Sequence, residues 1–158
     1  MKRRTFIQTS GLAMAGLAAF PAWAMKPKFP IGLQLYTLRD IIMMDPKGVL
    51  KMVTDLGYRD FETFGYNDGK LFGMPAKEFS DYVKSLGGRI TSGHYGLGKS
   101  ERMKAMKGTL INEWERAVAD AKEVGQEYMA LAYLNADERA SLDDYKWVCE
   151  KINQSGEV

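Results

Sequence analysis

Three times in this chain a helix-spaced apolar run ends on a glycine that leads directly into a strand-like segment. The exits are Asp55-Leu56-Gly57-Tyr58, Ser85-Leu86-Gly87-Gly88 and Glu123-Val124-Gly125-Gln126. Glycine adopts the left-handed backbone that turns a chain off the end of a helix at no steric cost. Gly57 to Gly87 is 30 residues and Gly87 to Gly125 is 38. That is room for one strand and one helix. A β-then-α unit repeated at this period implies right-handed crossovers and a parallel sheet.

The segments between the exits fit that reading. Ile31–Tyr36 is a short apolar run suited to a buried strand. Asp45-Pro46 reads as an N-cap followed by proline at the first helical position, with Val49, Met52, Val53 and Leu56 forming an apolar face. Tyr58–Phe64 reads as the second strand. Pro75 opens a helix with Phe79, Tyr82, Val83 and Leu86 on one side, and Arg89–Tyr95 is the third strand. A longer helix is expected from about Thr109 to Val124, carrying Leu110, Trp114, Ala117, Val118, Ala121 and Val124. Tyr128–Leu134 is the most apolar strand. Ser141 with Asp144 resembles a capping box for a last helix showing Leu142, Tyr145, Val148, Cys149 and Ile152, with Cys149 expected in the core.

Four such units suit either a small open doubly wound sheet or half of a (βα)8 barrel. A dinucleotide-binding sheet wants G-x-G-x-x-G after its first strand. Here Thr37-Leu38-Arg39-Asp40 follows, with no glycine until Gly48. That excludes a Rossmann site, and a P-loop with it. The sequence contains one His and one Cys, so neither a disulfide framework nor a multi-His metal site can form within the chain.

The N-terminus has a separate character. Lys2-Arg3-Arg4 precedes a small-residue apolar stretch, Gly11–Phe20, and then Ala22-Trp23-Ala24. A basic start, a short greasy middle and an A-x-A exit are the layout of a secretory signal. The paired arginines resemble a twin-arginine signal, so residues 1–24 are read as a leader and a periplasmic or otherwise exported location is expected. Removing it leaves 134 residues and takes three basic groups from the formal +2, giving −1. That balance argues against a nucleic-acid partner, and none is expected. Met25–Pro30, punctuated by Pro27 and Pro30, reads as a linker. No later stretch is apolar enough to span a membrane.

In a βα barrel the chemistry sits at the C-terminal ends of the strands, so position along a strand is a filter. Glu62 closes the second strand and His94 the third. A carboxylate in an apolar strand either serves substrate or is bridged to a neighbouring strand's polar group. His94 is either a substrate hydrogen bond and proton shuttle or a satisfied rim histidine. Gln34 could reach a sugar hydroxyl or fill the barrel floor. Tyr36, Phe64 and Tyr95 could wall a pocket or serve packing. The Lys99–Lys107 loop, with Lys99, Glu101, Arg102, Lys104 and Lys107, reads as a solvated loop, with phosphate gripping as the alternative.

Ile31-Gly-Leu-Gln-Leu-Tyr-Thr-Leu-Arg-Asp40, Gly57-Tyr-Arg-Asp-Phe-Glu62 and Ser92-Gly-His94 resemble the opening of the xylose isomerase-like TIM barrels, the sugar phosphate isomerase/epimerase group. The likeness runs from Ile31 to Val158. It implies a sugar or sugar phosphate substrate and proton transfer through an enediolate beside a carbonyl. It also implies a divalent metal (Mn, Mg or Zn) whose ligands come from strands five to eight. By motif, Glu62 and His94 match first-half positions that line the substrate pocket and are the catalytic candidates, and Gln34 and Tyr36 match the floor beside it; Phe64 and Tyr95 are the further substrate-binding candidates.

A TIM barrel takes about 250 residues. The expectation is therefore a truncated (βα)4 half, residues 31–158, that holds no metal alone and is inactive. Its open sheet edges favour self-association. A non-catalytic sugar-binding half-barrel is the alternative. An apurinic endonuclease-like barrel is a weaker one, because it needs several His ligands and a DNA-binding charge.

Overall fold

The computed structural model describes residues 31–158, so the expected leader (1–24) and linker (25–30) lie outside the described residues. The chain opens with β1 (Gly32–Gln34), a 3-10 turn at Leu35–Leu38, the single turn α1 (Arg39–Ile42) and α2 (Pro46–Asp55). Then come β2 (Asp60–Thr63), a two-stranded ribbon of β3 (Lys70–Leu71) and β4 (Met74–Pro75), and α3 (Ala76–Ser85). The remainder is β5 (Arg89–Tyr95), α4 (Trp114–Val124), β6 (Tyr128–Leu131), a 3-10 turn at Ala136–Glu138 and α5 (Leu142–Ser155).

The main sheet runs β1-β2-β5-β6, every neighbouring pair parallel, as the repeated exits predict. Gly57, Gly87 and Gly125 all take positive φ, at 103°, 75° and 92°. This is the left-handed turn that the sequence assigned to them.

Side chains alternate across a strand, and the two faces here differ in kind. Phe61 and Ile90 are buried on one face, packed in a single core with Leu50 and Val53 of α2, Phe79 and Val83 of α3, and Ala117 and Val124 of α4. Each fully buried large side chain stabilises the fold by roughly 1.5–3 kcal/mol. The opposite face carries the half-buried Gln34, Glu62, Ser92 and His94.

The register slips once. Phe61 lies opposite Ile90, but Glu62 lies opposite Ser92, so Thr91 is an extra residue on β5. A bulge of this kind re-aims the side chains that follow it. It puts Ser92 directly across from Glu62.

Several boundaries and faces depart from the sequence reading. β1 ends at Gln34, so Tyr36 belongs to the 3-10 turn and not to the strand. α4 begins at Trp114, because Glu113 turns left-handed at φ 53° and Thr109 pairs with Asn112 in a small bridge. Leu110 is therefore a loop residue. On α2 the buried set is Val49, Leu50, Val53 and Thr54, while Met52 and Leu56 are exposed. The helix is rotated about one residue from the expected face. Thr54 tolerates burial because its hydroxyl donates back to the carbonyls of Leu50 (2.9 Å) and Lys51 (2.8 Å).

β6 stops at Leu131. As the last strand of the sheet it leaves Tyr128 68% exposed and Tyr133 63% exposed. On α5 only Val148 of the expected apolar face is buried. Cys149 is exposed, which corrects its assignment to the core: among the described residues nothing covers its side of the helix, where only Val148 is buried.

Candidate functional site

The C-terminal ends of β1, β2 and β5 bring Gln34, Glu62 and His94 together on the face turned away from the helices. His94 Nε2 lies 2.9 Å from Glu62 Oε1, with both side chains close to 30% exposed. Ser92 Oγ donates to Glu62 Oε2 at 2.7 Å. On the other side of the ring, Gln34 Nε2 stands 3.1 Å from His94 Nδ1. The Gln34 Oε1 accepts from the backbone N–H of Tyr36 at the start of the 3-10 turn. Glu62 is thus bridged across β2 and β5 and keeps part of its surface open. Both nitrogens of His94 are engaged.

Tyr36 and Phe64 meet beside this group, their ring centroids 5.1 Å apart and nearly perpendicular. Phe64 also packs edge-on against Phe72 at 5.0 Å, and the Arg39 guanidinium sits 4.9 Å from the Tyr36 ring centre. Tyr95 does not join them. It follows His94 by one residue and so points to the opposite face, where it is 6% exposed beside Trp114 and Tyr66 and donates to Gln126 Oε1 at 2.8 Å. Burial drives its phenol pKa above the ordinary value, against the opposing effect of the Gln126 bond.

Gln126 also supports the site from beneath. Its Nε2 donates to Thr63 Oγ1 at 3.1 Å, under Gly93. A Cβ on Gly93 would stand 2.8 Å from the Gln126 amide and 3.0 Å from Thr63 Oγ1. The glycine before His94 is there for this close approach.

Two features escaped the sequence reading. Ser92 is two residues before His94, so strand alternation alone would have put both on one face with Glu62. Glu138 carries no such signal. It is fully buried, and its Oε1 accepts from the N–H groups of Lys99 (3.1 Å) and Ser100 (3.0 Å). Its Oε2 accepts from the N–H (2.8 Å) and the side-chain amide (2.9 Å) of Asn135. One carboxylate therefore ties the loop after β5 to the loop after β6.

Three of the four cations of the basic loop are already paired. Lys99 pairs with Asp144 at 2.6 Å, Lys104 with Glu101, and Lys107 with Asp68 and Glu113 at 3.6 and 3.3 Å. Among the described residues no group of three or more His, Cys, Asp or Glu side chains is placed to hold a metal ion. The divalent ion that the resemblance implies draws its ligands, by that resemblance, from strands five to eight and not from the described residues.

Four parallel strands in sequential order, β1-β2-β5-β6, without the order reversal of a doubly wound sheet, and with polar side chains gathered at their C-terminal ends, match the TIM-barrel-like class of α/β proteins. Within that class the likeness is to sugar phosphate isomerase/epimerases. The chain superimposes on one crystal structure of such a protein from Parabacteroides distasonis with a TM-score of 0.64 and 26% identity, over 81% of this chain and 49% of that one. A second, also described as a sugar phosphate isomerase/epimerase from Parabacteroides distasonis, gives 0.61 and 26% over 84% and 48%. The chain spans about half the length of each, in keeping with an N-terminal half. No protein-family model and no curated protein matches the sequence.

Proposed function

We propose that this chain is the sugar-binding first half of an exported isomerase/epimerase barrel and that Glu62 is its proton-moving group. One observation carries the reading: a carboxylate held by two donors from β5, at the C-terminal rim, beside the Tyr36–Phe64 wall. Isomerisation and epimerisation both begin by removing a proton from the carbon next to a carbonyl. In a complete barrel Glu62 would take that proton, and the C–H electron pair would form the enediol C=C bond as the carbonyl pair moves onto its oxygen, giving an enediolate. Return to the neighbouring carbon isomerises the sugar; return to the opposite face epimerises it. A positioned carboxylate is suited to the first step. The site holds one carboxylate where an acid pair is needed, so this chain binds a sugar without turning it over. Residues 1–24 direct it out of the cytoplasm.

The test is a titration of the purified chain with D-fructose and D-fructose 6-phosphate, read on the imidazole of its one histidine. Saturable shifts with either sugar, lost in Glu62→Ala, support the reading. An imidazole signal that ignores both sugars overturns it, and turnover by the lone chain overturns the inactivity.

A second reading has its own observation. β1 and β6 are both open edges, and the exposed Tyr128, Leu142 (72%), Tyr145 and Ile152 lie on the β6 side. A second copy, turned by a two-fold axis along the strands, sets each β6 parallel to the other's β1 and closes eight strands. In that reading the chain is a self-associating half-barrel that binds sugar in its shared interior.

A further inference from the structure

We infer that Gln34 is a tautomer-setting residue, which commits the one ring proton of His94 to Nε2 and thereby to Glu62. The argument starts from a group whose role is not open to choice. A backbone N–H can only donate, so the Gln34 atom facing the Tyr36 N–H is its oxygen. The other end of the same planar amide is then an NH2, and it is this that meets His94 Nδ1 at 3.1 Å. An NH2 facing a ring nitrogen needs a lone pair there, so Nδ1 carries no proton.

The far side of the ring gives the same answer independently. Nε2 stands 2.9 Å from a Glu62 oxygen whose partner oxygen already accepts from Ser92. A carboxylate accepts, so Nε2 donates. A proton on Nδ1 would face the Gln34 N–H. Turning the amide over would set that NH2 against the Tyr36 N–H instead. Either arrangement puts donor against donor, and rotating the ring by half a turn removes both bonds.

The groups around the ring leave this pattern undisturbed. Glu62 of β2 is the charged neighbour; Gln34 of β1 is neutral, and β6 offers Ala130 across the strand pair. Neither ring nitrogen is left to shuttle a proton to a ligand. His94 is a positioning residue for Glu62, and Gln34 is a positioning residue for His94. This division does not rest on the sugar reading, since it follows from the hydrogen bonds alone.

The experiment uses the whole chain, uniformly 15N-labelled, at neutral pH without any sugar. Because the sequence contains one histidine, its long-range proton–nitrogen correlations need no assignment. The expected spectrum has a protonated, pyrrole-type shift at Nε2 and a bare, pyridine-type shift at Nδ1. Gln34→Glu, which offers an acceptor to Nδ1 while Glu62 still accepts from Nε2, is expected to add a proton at Nδ1 and give two pyrrole-type shifts. A parent spectrum that is already averaged, or has its proton on Nδ1, overturns the inference, and that reading needs no variant to fold. A well-folded Gln34→Glu that keeps the parent's bare Nδ1 also overturns it. Failure of the sugars to bind leaves every one of these outcomes readable.

Discussion

At the scale of single residues, the most consequential side chain is one that touches no site residue. Glu138 is buried at 0% exposure, and each of its oxygens accepts two N–H bonds. A buried carboxylate is tolerable only when so compensated. In Glu138→Gln one oxygen becomes an NH2 that faces two N–H donors, whichever way the amide turns. The expected loss is about 1–3 kcal/mol of folding stability, measured by urea denaturation, because buried donors lose their partner. Glu62 and His94 were legible in the sequence because a strand's last residue is recognisable once the strand is. Glu138 was not, because its partners are backbone amides 38 and 39 residues away and the Asn135 groups of its own turn, and such pairings leave no trace in a sequence. Cys149 was misread for a related reason: spacing says which residues share a face, not whether anything covers it.

Among the elements, α5 shows how a local motif and a remote charge combine. Ser141 and Asp144 form the capping box that their spacing predicts, and Asp144 also receives Lys99. The Lys99 ammonium first, and then the Ser141 hydroxyl, hold the Asp144 carboxyl below the ordinary carboxylate range. A depressed folded-state pKa contributes stability above the unfolded value, near 3.9, that is lost as pH falls through the folded value. Asp144→Asn is therefore expected to melt below the parent at pH 7, with the gap closing below about pH 4; parallel thermal melts across that range check it. The same scale explains the rotated face of α2. Val49-Leu50 and Val53-Thr54 form an apolar stripe as regular as the one through Met52 and Leu56, and the sheet selects the first. Periodicity finds a helix more securely than it finds its buried side.

For the molecule as a whole, the parallel topology was readable because the glycine exits punctuate it, and all three turn left-handed as required. The exposure of the β6 side was not readable, since Tyr128–Leu134 looks like the most central strand and is the outermost. An apolar edge strand is a template for pairing with another chain. If a second copy closes the barrel, sedimentation should find a discrete dimer, and Tyr128→Lys should shift it to monomer. A monomer, or a polydisperse aggregate, counts against that assembly. The strand order also divides the sheet in time. β2 and β5 have a hydrogen-bonded neighbour on both sides, whereas β1 and β6 have one each. Outward amides of the outer pair exchange with solvent deuterium through local fraying, but those of the inner pair wait for the sheet to open. Glu62, Ser92 and His94 all ride on the slow pair, so the carboxylate–imidazole contact persists for as long as the fold does, whereas Gln34, on the edge strand β1, is the one member of the site that local fraying releases.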